Sequence, residues 1–97
     1  MKKLEVGKLY KAGEAYRNVG KDFFLYSEPK MDGKHVIGEI LNDEPFVVLQ
    51  DDFEDKGPEL TPHYNPLRVL TVNGITGYIF ISSWDRRALI IVGEENN

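Results

Sequence analysis

Apolar residues along the chain come in short runs broken by Gly, Pro, Asn and Asp, with no long stretch at helical spacing. That pattern predicts short strands joined by turns. Lys8–Ala12 reads as a first short strand around Leu9 and Tyr10. Phe23-Phe24-Leu25-Tyr26-Ser27 reads as an aromatic-rich strand, and the turn-rich Glu28–Lys34 that follows carries the turn pair Asp32-Gly33. Val36–Ile40 is a short extended piece, with Gly38 at a position suited to a bulge or a close approach. Leu41–Glu44 turns the chain, Pro45 suits the first position of a strand, and Phe46–Gln50 is a β-branched and aromatic strand.

The next segment, Asp51–Pro66, holds Gly57, Pro58, Pro62, Asn65 and Pro66, which argues for a long irregular loop. Leu67–Val72 and Ile75–Phe80 are strands around Asn73-Gly74, a pair suited to a type I′ hairpin. Gly77 is compatible with a bulge or tight curvature. Ile81–Asp85 suggests a helical turn, a 3-10 turn near Ser82–Trp84, with serine and aspartate available for local backbone bonds. Ala88–Val92 is a continuous apolar run, expected as a strand buried on both faces or covered by a partner. Gly93–Asn97 reads as a frayed polar tail. Phe23, Phe24, Phe46 and Phe80 are the expected aromatic core. The whole is an all-β chain of five to seven short strands in one domain, 1–97, with 1–22 as an N-terminal extension carrying an extra strand, and 23–92 as a small barrel.

Composition narrows the function classes. The absence of cysteine excludes disulfides, thiolate zinc sites and a cysteine nucleophile. No run approaches a membrane span, and the start of the chain does not read as a signal peptide, so the expected setting is cytoplasmic, either host cytoplasm or a virion. The net charge of −4 is unevenly spread. Residues 1–34 carry +3, residues 35–67 carry −7, and residues 68–97 are neutral. Five of the eight middle-third acids fall between Asp51 and Glu59, which marks a candidate interaction loop as well as a solvated one.

Catalytic and metal chemistry has little support. His35 and His63 stand alone in turn-like segments, and Ser82 and Ser83 lack a nucleophile-elbow setting. Asp51 and Asp52 read as solvated loop acids, without the desolvation that a carboxylate general acid needs. The segment from Asp51 also fails calcium-loop spacing, since Phe53 takes the third position counted from Asp51, and His63 the twelfth counted from Asp52. The expectation is no enzyme, no metal and no cofactor. A basic N-terminal third, with Lys2, Lys3, Lys8, Lys11, Arg17 and Lys21 near Tyr10 and Tyr16, keeps nucleic acid as an alternative partner.

Three stretches resemble SH3-like domains of the bacterial and phage type. They are Leu25–Pro29; Val36–Ile40 with Leu41–Glu44 and Pro45–Leu49; and Arg68–Ile79 with Ser82-Ser83-Trp84. The start, Val6–Lys11, together with Pro45–Leu49, is also similar to small uncharacterised phage proteins built on this barrel. The resemblance implies that Glu28–Ile40 is the first long (RT) loop and Asp51–Pro66 the n-Src loop, the two that flank a ligand groove. Where proline-binding SH3 domains place paired tryptophans, this chain reads Tyr64-Asn65-Pro66-Leu67, which argues against PxxP recognition.

These readings converge on a non-catalytic binding or assembly module, a phage accessory protein by the resemblance. Its expected partner is a basic or mixed-charge peptide or protein surface. The expected binding residues are Tyr26, Asp51, Asp52, Glu54, Asp55, Tyr64, Tyr78 and Trp84. A third reading is a structural subunit, homo-oligomeric through an edge formed by Ala88–Val92.

Overall fold

The computed structural model describes residues 3–13, 22–54 and 63–93. Seven strands form one antiparallel sheet: β1 (Leu9–Ala12), β2 (Phe23–Tyr26), β3 (Val36–Ile40), β4 (Phe46–Asp51), β5 (Asn65–Thr71), β6 (Thr76–Ile81) and β7 (Leu89–Ile91). A 3-10 turn at Gly33–His35 precedes β3, and a six-residue helix, α1 (Ser83–Ala88), lies between β6 and β7. The sheet order is β3-β2-β6-β5-β4-β1-β7.

The expected barrel is not closed. Closure needs a ladder between the first and last strands, but among the described residues β3 pairs only with β2, and β7 only with β1. The sheet bends at two register shifts, between Leu25 and Tyr26 and between Val48 and Gln50, where an extra residue curves the strand. One core lies on the face where alternate positions of the strands meet: Phe23 and Leu25, Phe46 and Val48, Leu67 and Val69, Ile79 and Ile81. Tyr10, Ile40, Leu89 and Leu4 complete it. β1, expected within an N-terminal extension, lies inside the sheet between β4 and β7.

Strict alternation corrects two core expectations. Phe24 is 60% exposed because it sits between inward Phe23 and Leu25; neighbours along a strand cannot share a face. Phe80 is half-buried between inward Ile79 and Ile81. It meets the Tyr26 ring edge-on at 5.2 Å between centroids.

The β5–β6 hairpin turn also differs in kind from the one expected. The Gly74 N–H donates to the Thr71 carbonyl and the Thr71 N–H to the Ile75 carbonyl. Gly74 has φ +80, whereas neither Val72 nor Asn73 has positive φ. A type I′ turn needs positive φ at both central residues, so this is instead a three-residue loop, a type I turn followed by a left-handed glycine. β5 begins at Asn65, earlier than the sequence suggests. Pro66 is tolerated there because β4 ends at Asp51, opposite Leu67, and no ladder bond toward β4 is lost.

The turn expected near Ser82–Trp84 is an α-helix, and the 3-10 geometry falls at Gly33–His35 instead. Ser82 Oγ accepts from the Asp85 N–H at 3.2 Å, and Asp85 Oδ2 accepts from the Ser82 N–H at 2.7 Å. This reciprocal cap satisfies two backbone donors at the start of α1. Ala88, expected in the final strand, is the last helical residue. Leu89 is buried while Ile90, Ile91 and Val92 are half-buried, so the run is not covered on both faces.

Candidate functional site

One end of the sheet gathers the C-terminal end of β4, the N-terminal end of β5 and helix α1. Alternation from Phe46 and Val48 would turn Gln50 inward and Asp51 outward. The register shift between Val48 and Gln50 reverses that parity: Gln50 lies opposite Arg68, and Asp51 opposite buried Leu67. Asp51 is therefore a buried residue and not the solvated loop acid that its sequence context suggests.

Its carboxylate is fully engaged. Arg86 Nη1 donates to Oδ2 at 2.6 Å and Nη2 to Oδ1 at 2.8 Å. The Leu4 N–H donates to Oδ2 at 2.8 Å and the Phe53 N–H to Oδ1 at 3.1 Å. Burial by itself would raise the Asp51 pKa. The Arg86 hydrogen bonds, the Leu4 N–H, the Arg86 charge and the Phe53 N–H outweigh it and hold the carboxyl below its ordinary value. The Arg86 guanidinium stacks 4.0 Å from the Phe53 ring centroid. Its Nε is buried without a partner. Asp85 is buried too; burial pushes its carboxyl up, only partly offset by the Ser82 N–H.

Around this anchor lie exposed groups. Trp84 is 63% exposed on α1, and Tyr64, immediately before β5, is 48% exposed. The first residue of β5, Asn65, pairs with Ile81 at the end of β6, so both aromatics belong to the same end of the β5–β6 hairpin. Asp52 and Glu54 are exposed on the segment leaving β4, and Asp52 accepts from Gln50 Nε2 at 3.0 Å. Asp55 lies outside the described residues.

Tyr26 and Tyr78 are direct cross-strand partners. They continue a row through Arg68 to Gln50 across β6, β5 and β4. Tyr26 is buried and committed to Phe80, which removes its ring as a ligand surface, while Tyr78 is half-buried. The structure thus gathers Asp52, Glu54, Tyr64 and Trp84 at one end, and reassigns Asp51 to the fold. Arg86 and Phe53, which complete the anchor, escape sequence reasoning because Arg86 lies 35 residues from Asp51 with no local signal joining them.

The arrangement offers ionic and aromatic contacts. Ser82 Oγ is used in the helix cap. His35 Nε2 lies 3.5 Å from the Glu28 carboxylate beside the 3-10 turn, and His63 is exposed. Among the described residues no group of three or more His, Asp or Glu gathers to hold a metal. No helix among them is long and apolar enough to cross a membrane. For the nucleic-acid alternative, Lys3 and Lys8 are exposed, but Tyr10 is buried with its hydroxyl accepting from the Glu5 N–H, so it offers no stacking face. Lys2, Tyr16, Arg17 and Lys21 lie outside the described residues. No protein-family model, no curated protein and no solved structure matches the chain.

Proposed function

We propose that the chain is a non-catalytic binding module for a basic or mixed-charge peptide or protein surface. The exposed carboxylates of Asp52 and Glu54 face the cationic partner, and Asp55 and Glu59 follow them in sequence and add negative charge. Tyr64 and Trp84 supply its aromatic contacts. The observation that carries this reading is the exposure of both Trp84 and Tyr64 at the end of the sheet where Asp52 and Glu54 leave β4. Aromatic residues of this kind dominate contact energies at interfaces, and flanking carboxylates steer a cationic partner and set specificity. The setting that accompanies this reading is a host cytoplasm or a virion.

Trp84 is the chain's one tryptophan, so its emission reports on this end. Stopped-flow mixing with a Lys/Arg-rich dodecapeptide should give a Trp84 signal whose association rate falls as salt rises. Replacing Asp52, Glu54, Asp55 and Glu59 by their amides should slow that association. Asp51 is left in place, because its removal tests the fold and not the surface. Association rates unchanged by salt and by the amide variants reject the reading.

A second reading rests on β7, which lies at the end of the sheet with one edge unpaired among the described residues. Such an edge accepts a strand from another copy, giving a homo-oligomeric structural subunit. Sedimentation velocity should then show a concentration-dependent larger species that Ile90→Lys abolishes; a monomer at all concentrations excludes it.

A further inference from the structure

At the end of the β5–β6 hairpin away from α1, a groove of about 160 Å³ opens between β3, the turn before β4 and the Val72–Gly74 loop. Leu25, Ile40, Pro45, Val72 and Ile75 give it apolar walls, and Glu39 and Glu44 are the charged lining residues among those described. Val72 is 54% exposed and Ile75 45%. Its volume is that of a site for one apolar side chain, since an apolar cavity of about 150 Å³ takes a benzene ring.

Gly38 sits on this groove and is not required by the chain's own packing. It lacks positive φ, and a Cβ built on it meets nothing within 4 Å. Glycine inside a strand weakens it relative to alanine, so here it leaves open space. It lies in β3, an edge strand that among the described residues pairs with β2 alone, and it contains neither lysine nor proline, residues that commonly protect such edges.

We propose that β3 and this groove form a second docking surface, one that takes an extended peptide with an apolar residue next to a lysine or arginine. The register dictates that pair. Gly38 lies opposite Leu25, and Glu39 opposite Phe24. A segment adding to the free edge of β3 extends these cross-strand rows by one residue each. The residue beside Gly38 shares a face with Leu25 and fills the groove. Its neighbour shares a face with Glu39 and the exposed Phe24, where a cation pairs with the carboxylate and lies against the ring. The surface is separate from the Trp84 end and stands or falls independently of it.

The test is selection from a displayed library of random dodecapeptides, followed by titration of the enriched peptides against three proteins. These are the parent, Gly38→Val, which fills the open space, and Glu39→Lys, which reverses an exposed charge. The expected result is an enriched apolar–basic pair, binding weakened about tenfold or more in either variant, and Trp84 emission unchanged on binding. Gly38→Val should melt no lower than the parent, because its side chain meets no clash and valine suits a strand; were it to unfold, Glu39→Lys alone decides. Peptides that bind both variants as they bind the parent, peptides that perturb Trp84 instead, or a selection that enriches nothing overturn the proposal.

Discussion

Removing the Asp51 carboxylate leaves the Arg86 guanidinium buried, with Nε already unpaired, and frees the Leu4 and Phe53 N–H groups as well. Breaking a buried pair from one side is far more damaging than replacing both partners by apolar residues, because only the first strands a charge. Asp51→Ala should therefore lower stability by about 3–5 kcal/mol, a large share of the roughly 5–15 kcal/mol typical of a domain. The double variant Asp51→Leu with Arg86→Met should lose much less than the two single losses added together. Urea unfolding, compared at constant m-value, measures both.

At the scale of elements, the join with the fewest paired positions among the described residues is between β2 and β6, where Tyr26 and Tyr78 pair. Gly77 lies beside it. A Cβ there would fall 2.8 Å from Leu25 Cδ1 and 2.8 Å from the Tyr26 carbonyl oxygen, one of them backbone that cannot swing away. Gly77→Ala should thus push the β2–β3 hairpin off β6 and cost about 1–3 kcal/mol. Thermal unfolding and amide exchange at residues 23–26 report it; exchange there unchanged from the parent contradicts this account. Two glycines, in the strands on either side of β2, thus have opposite reasons. Gly77 has no room for a side chain, and Gly38 has room that the fold leaves unused.

For the whole molecule, the Asp51 pair pins three distant parts of the chain: the N-terminal segment at Leu4, the end of β4 and helix α1. Its pH dependence follows from the direction of the shift. A carboxyl held below its ordinary value of 3.8 contributes stability that is fully present above that value, and is lost as pH falls through the folded value. Asp85 has the opposite sign. Its raised carboxyl favours the folded state below 3.8, and that advantage disappears as pH rises through its folded value. The parent should lose stability on acidification below about pH 4, and Asp51→Asn should show a shallower acid limb. An acid limb equally steep in that variant would show that Asp51 is not the group responsible.

Much of this architecture is legible in local pattern. The strand at Val36–Ile40, the hairpin centred on Asn73-Gly74 and the helical turn opened by Ser82 follow from alternation, turn chemistry and capping, all set by residues within a few positions of one another. So does the grouping of exposed acids and aromatics as candidate contacts. The tertiary structure decided what depends on parity and distance. An extra residue between Val48 and Gln50 turns Asp51 into the core, where Arg86 waits 35 residues away. The pairing order leaves β3 and β7 as free edges in place of a closed barrel. It also exposes Phe24 and leaves Gly38 over an open groove. A period of two names the faces of a strand, but one bulge exchanges them, and only the packed sheet shows where it falls.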